Sequence, residues 1–139
     1  MDTLKHRRVV VGVDGSPNSV AALHHAAQAA LRLGTDLDVV LALETRADDT
    51  KVADATRALD EVVRREFPSG LGTPWRREVE RGDPAIILLR ASVDAGLLVL
   101  GGREHSKADS PVGSKTVSRC VRNARCAVEV CTDQQGHAA

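Results

Sequence analysis

Aromatic side chains are nearly absent: the 139 residues hold one Trp, one Phe and no Tyr. A platform that reads single-stranded nucleic acid stacks its bases on several rings, and a cage for a quaternary ammonium needs more than one. Neither can be built from Phe67 and Trp75 alone. The same scarcity removes the ring neighbours that a flavin carrier would use. Net charge is also missing, since 19 basic residues balance 19 acidic ones. A neutral chain offers no broad electrostatic footprint to nucleic acid or to an anionic membrane, so neither is expected as a partner.

Cysteine is sparse and odd in number. Cys120, Cys126 and Cys131 have no CxxC spacing, which argues against a disulfide framework and for a reducing, cytoplasmic setting. The five His residues show neither HExxH nor paired Cys-His spacing, so no metal site is expected. No apolar run approaches the ~20 residues needed to span a bilayer, and MDTLKHRR is not followed by the apolar stretch of a secretory signal.

What remains is an ordinary globular composition, 42% apolar and 27% charged, at a length typical of one domain. Residues 1–132 are read as that domain and 133–139 as a disordered tail. Val9–Val13 is a β-branched run that stops at Asp14-Gly15-Ser16-Pro17, the pattern of a buried strand. Ser16 can cap a helix whose first residue is Pro17; Val20, Leu23, Ala27, Ala30 and Leu31 keep helical spacing until Gly34 stops it. A strand over 37–43 follows, then a helix through Val52, Ala55, Leu59, Val62 and Val63 that must end before Pro68. Trp75 to Glu80 reads as a half-exposed strand. Asp83-Pro84 repeats the capped start of a helix expected to reach Val93. Residues 95–101 are the most apolar strand and read as the central one. A helix over Ser114–Asn123 and a strand over 126–131 complete the order.

Strands that alternate with helices and are apolar on both faces predict an α/β fold: an open five-stranded parallel sheet covered on both sides. Ligands in such folds sit beyond the carboxyl ends of the strands, near the reversal of strand order. Two loops are selected, Asp14-Gly15-Ser16 and the stretch from Gly101 to Ser114. The second leaves a buried strand through Gly101-Gly102 and enters a helix at Gly113-Ser114, where free N–H groups suit phosphate. Between Arg103 and Arg125 six basic residues face two acids, so the zero net charge conceals a basic C-terminal segment. Each candidate also has a plainer role: Asp14 bracing its turn, Asp83 and Ser114 as caps, Cys120 and Cys126 as buried small hydrophobes, with Cys131 the more exposed. His105 has no nucleophile or orienting group at a spacing that would make it a general base, and no catalytic residue is assigned.

VVVGVDGSPNS, the GDPA element, LLVLGG, the Gly-Ser helix start and NARCAVEV follow one another in this order. Together they resemble the universal stress protein family over about Arg8 to Cys131. The resemblance implies a Rossmann-like sheet of the adenine-nucleotide alpha-hydrolase type and a cytoplasmic regulatory or stress-response protein, non-catalytic, acting on a protein partner. It implies ATP as the cofactor, with no metal beyond nucleotide-bound magnesium, and a homodimer formed through residues 126–131. Carried over by position, the nucleotide-binding candidates are Gly12, Val13, Asp14, Leu43, Leu100, Gly101, Gly102, Arg103, Gly113 and Ser114. Two departures stand out in the family's G-x2-G-x9-G-[ST] pattern: Glu104 replaces the second glycine, and eight residues rather than nine precede Gly113. Glutamate sets a negative charge beside a triphosphate, and Pro111 lacks an N–H. An ATP-hydrolysing enzyme of the same superfamily is the alternative reading, with weak ATPase or self-phosphorylation activity, although Gly12-Val13-Asp14-Gly15-Ser16 lacks the glycine pair of its usual loop. Glu129 stands at an apolar position of the family's dimer strand: it would repel its own copy across an axis, or fix register against a basic group.

Overall fold

The computed structural model describes residues 7–102 and 114–132. Arg103, Glu104, Pro111, Gly113 and the tail 133–139 therefore lie outside the described residues. Nine elements follow the expected order: β1 Val9–Val13, α1 Pro17–Leu33, β2 Leu37–Leu43, α2 Asp49–Glu66, β3 Trp75–Arg81, α3 Pro84–Ala91, β4 Leu97–Gly101, α4 Ser114–Asn123 and β5 Ala127–Cys131. All strand pairs are parallel, in the order β3-β2-β1-β4-β5. The middle strand is thus β1. The more apolar β4 lies beside it, paired on both edges.

This order has a consequence for the helices. Right-handed crossovers place α1 and α2 on one face, because the chain first walks from β1 outward to β3. They place α3 and α4 on the other, because it then returns across β1. The two apolar clusters divide in that way. Val9, Val11 and Val13 pack with Leu23, Ala26, Leu59 and Val63 on the α1–α2 face. Val10, Val40, Leu98 and Leu100 pack with Leu88 and Cys120 on the α3–α4 face.

Local signals set the boundaries. Ser16 caps α1 by accepting from the Ser19 N–H, and Gly34 ends it in the left-handed conformation at φ 67°, where a Cβ would be strained. Asp48 caps α2 through the Lys51 N–H. Asp83 caps α3 through the Ala85 and Ile86 N–H groups, and it also accepts two hydrogen bonds from Arg119 of α4, at 3.1 and 2.9 Å. That guanidinium, with the two N–H groups, holds the Asp83 carboxyl below its ordinary value. Helix α3 stops at Ala91 rather than Val93: the Ser92 N–H closes the last turn on Leu88 and the chain then turns to pair Gly96 with Arg8. For the same reason β4 starts at Leu97, two residues later than expected.

Pairing at the flanks is ionic. Asp38 of β2 is buried, and its carboxylate takes Arg76 of β3 at 2.9 Å and Arg8 at 3.3 Å. His24 and His25 diverge from α1: His24 reaches Glu66 of α2 at 2.8 Å and His25 reaches Glu129 of β5 at 2.9 Å. The His24 contact lowers the Glu66 carboxyl from its ordinary value, and the His24 ring lies 4.4 Å from Phe67. Glu129 is thus held within its own chain by a basic group. Cys131, expected to be exposed, is 6% exposed in the α1–α2 core. Its side chain alternates onto the inner face of β5, and burial raises its thiol pKa. Cys120 is fully buried, and burial pushes its thiol up to about 11. Neither is poised as a nucleophile.

The tightest packing lies where α1 begins. A Cβ on Gly101 would fall 2.5 Å from the Asn18 carbonyl carbon and 2.6 Å from the Ser19 nitrogen. These are backbone atoms and cannot swing away. Gly101→Ala should therefore lower stability by about 2–3 kcal/mol or more, the upper range for overpacking. Gly15→Ala meets open space but carries φ 86°, and should cost only ~1–2 kcal/mol. Urea denaturation of the two variants checks the ranking; equal midpoints would show that α1 does not rest on β4 in this way.

Candidate functional site

The turn after β1 is held by the side chains of Asp14 and Ser19 and the backbone of Ser16. Asp14 Oδ1 accepts from the Ser16 N–H at 2.9 Å, the geometry of an Asx turn. The Asp14 N–H donates to Ser19 Oγ at 3.2 Å, and Ser19 Oγ donates to the Ser16 carbonyl at 3.0 Å. Ser19 is 2% exposed, so its hydroxyl is fully engaged inside the turn. Asp14 therefore braces the turn, as its plainer reading holds, and it also faces a cavity.

That cavity, about 250 Å³, opens beyond the carboxyl ends of β1 and β2, between α1 and α2. Strand ends supply Val13, Asp14, Gly15, Leu41 and Leu43; α1 supplies Ser19, Val20 and Leu23; α2 supplies Ala55, Ala58, Leu59 and Val62. Its volume lies below the ~300–1,000 Å³ of sites that enclose a whole drug-sized ligand. It suits one ring system held by aliphatic walls, with the rest of the ligand outside. The polar atoms come from the turn at one end, so an apolar group would enter with its hydrogen-bonding edge toward Asp14 and Gly15.

Of the candidates named from sequence, Val13, Asp14 and Leu43 meet in this cavity. Gly12 and Leu100 lie on the opposite face of the sheet. A Cβ on Gly12 would come within 2.8 Å of Leu88, and Leu100 is fully buried in that core. Gly101 and Gly102 also have local partners: the first admits the α1 backbone, and a Cβ on the second would fall 2.9 Å from Val130 and 3.1 Å from Val117. Their lack of a side chain is a packing requirement whether or not a phosphate approaches. Ser114 opens α4, while Arg103 and Gly113 lie outside the described residues. The α2 wall was not foreseen. Ala55, Leu59 and Val62 read in sequence as one apolar helix stripe, and only the small size of Ala55 and Ala58 hinted that the stripe leaves room.

Among the described residues, no group of three or more His, Cys, Asp or Glu side chains could hold a metal ion, and no helix is long and apolar enough to cross a membrane.

The sequence model of the Universal stress protein family matches residues 5–131. The chain belongs to the universal stress protein family. Its sheet is the one seen in solved members. Universal stress protein UspA from Lactobacillus plantarum superposes with a TM-score of 0.72 at 22% identity, covering 91% of this chain and 98% of that one. A universal stress protein in complex with cAMP gives 0.72 at 24% identity, covering 92% and 98%. The universal stress protein from Archaeoglobus fulgidus in complex with dAMP gives 0.71 at 21%, covering 91% and 98%. At these identities the likeness establishes the fold. Among curated proteins, none matches the chain.

The two roles of Asp14 separate experimentally. Asp14→Asn keeps an oxygen for the Ser16 N–H and should change stability by only a few tenths of a kcal/mol, whereas Asp14→Ala leaves that N–H unpaired and should cost ~1 kcal/mol. Thermal and urea unfolding of both variants measure this; equal losses would mean that charge, not the turn, is what Asp14 supplies.

Proposed function

We propose that this universal stress protein is a non-catalytic, cytoplasmic regulatory protein that binds an adenine nucleotide, ATP included, in the cavity between α1 and α2. The observation that carries the reading is the cavity itself: an aliphatic slot at the strand ends with the Asp14-Gly15 turn at one end. A purine base fits such a slot, its flat apolar faces against Leu41, Leu43 and Ala55 and its polar edge toward the turn. With so few aromatics in the chain, aliphatic side chains must do this holding. Relatives of the same fold hold cAMP and dAMP, which supports an adenine ligand whose phosphates need not be three. Phosphates would extend toward the start of α4, whose N–H groups suit them. Glu104, which stands between β4 and α4 in sequence, would oppose a triphosphate by charge, and magnesium would enter only with the nucleotide. A regulatory role fits the cavity chemistry, because the one hydroxyl lining it, Ser19, is committed to the turn on both sides.

Titration calorimetry with ATP, ADP, AMP and cyclic AMP, with and without magnesium, tests this. At least one should bind more tightly than ~100 μM, equivalent to about −5.5 kcal/mol. Ala55→Phe, which fills the slot from α2, should weaken it at least about tenfold while the unfolding midpoint moves little. No binding by any of the four removes the nucleotide from the proposal.

The assembly we propose is a homodimer through the outer edge of β5, residues 126–131. This strand is an edge of the sheet, and such edges pair readily. Val130 is 37% exposed on it. The pairing of Glu129 with His25 supports the dimer, because it draws the carboxylate toward α1 rather than leaving it to face its copy. Val130→Lys should convert a dimer to a monomer in sedimentation equilibrium; a wild-type monomer would end the proposal.

A further inference from the structure

Helix α4 turns Thr116 and Cys120 inward, and both are buried. Its other face is open. Lys115, Ser118, Arg119, Val121 and Arg122 are exposed there, as is Arg125 just beyond the helix end. From 114 to 125 the chain has four basic residues and no acidic one. Arg119 is paired with Asp83. Lys115, Arg122 and Arg125 have no ion-pair partner among the described residues, and Arg122 bonds only to Ser118, at 3.2 Å. This contrasts with β3, where Arg76, Arg77 and Arg81 each meet an aspartate.

Spacing puts positions 115, 118, 119 and 122 in one stripe along the helix, and Arg125 follows just past its end. Val121 lies beside that stripe, one turn after Ser118, and is 55% exposed. The helix dipole accounts for cations in the last turn, but it disfavours Lys115 in the first and says nothing of Val121. An exposed apolar side chain next to a row of cations is a surface that suits protein binding.

We propose that the outer face of α4 docks an acidic polypeptide segment that carries an apolar side chain. Its carboxylates pair with Lys115, Arg122 and Arg125, and its apolar group covers Val121. Charge complementarity selects this occupant. Three cations without an ion-pair partner among the described residues, on a neutral chain, favour a short acidic segment over a long polyanion, and the ring side chains that nucleic acid would need lie on the opposite face of the sheet, where Phe67 and Trp75 pack with the α1–α2 core. The cavity lies on that opposite face; Lys115, in the first turn of α4, is the one member of the patch near the proposed path of nucleotide phosphates, so the variants that test the docking face are taken from the far end of the helix.

The test is fluorescence anisotropy of the full chain with a short labelled peptide of repeating Glu-Glu-Leu, alongside a single-stranded DNA oligonucleotide and phosphatidylserine vesicles. The peptide should bind, more weakly as salt rises. Arg122→Gln with Arg125→Gln should weaken it about tenfold, and Val121→Ser several-fold with the salt dependence unchanged. Arg32→Gln with Arg64→Gln, which removes two exposed cations elsewhere, should leave it unaltered. Absence of peptide binding, equal loss in the Arg32/Arg64 control, or tighter binding to DNA or vesicles than to peptide would overturn the proposal.

Discussion

The start of α1 rests on the end of β4 with no side chain between them, and most of the site depends on that contact. Gly101 has to be glycine because Asn18 and Ser19 present backbone to it. Further along the helix, Ala22, Ala26, Ala29 and Ala30 are fully buried, so α1 lies close to the sheet along its length. A helix this near fixes the Asp14–Ser16–Ser19 turn in position. It also carries His25 to the edge strand and His24 to α2. The cavity is what remains when α1 sits low on the sheet while α2, which buries only Leu59 and Val63, stands farther off.

The two helical faces divide the chemistry. On one side are the cavity, the braced turn and the His–Glu contacts. On the other are α3 and α4, joined by Asp83 and Arg119, with the cationic outer surface of α4 exposed. The carboxyl ends of the strands serve both faces at once. The turn after β1 opens onto the α1–α2 side, while the chain leaving β4 leads to the start of α4. A ligand bridging the two would span the switch point at which α/β sheets commonly bind. The glycines at the end of β4 answer first to packing, so their presence alone is weak support for a phosphate site.

Much of the fold was legible because its signals are local. Ser16-Pro17, Asp83-Pro84 and Gly34 each act within one helical turn, and the run Val9–Val13 reads as a strand from its short length and β-branched residues. Errors fell where a non-local contact decided. Val93 continues the apolar spacing of α3, yet the helix stops at Ala91 because the chain must turn back to pair with Arg8. Cys131 lies near the end of the sequence but alternates onto the inner face of β5. The site was legible in part. Val13, Asp14 and Leu43 do converge, whereas Leu100 faces the other core, since neighbouring strands contribute by the parity of their register and not by nearness to a strand end. The α2 wall was hidden because a stripe that lines a cavity and a stripe that fills a core look alike in sequence.

Sequence by itself determined the order of elements, the parallel sheet, the caps of α1 and α3 and the family, because each rests on short-range patterns or on motifs in series. Its scarcity of aromatic residues also leaves too few rings for a site built by aromatic stacking. Only the tertiary structure decided which strand is central, which face each side chain joins, why Gly101 and Gly102 lack side chains, and what Glu129 meets. Those outcomes depend on the packing distance between helix and sheet and on pairing register. Both are set by contacts between residues far apart in the chain, such as Glu129 with His25 and Gly101 with Asn18.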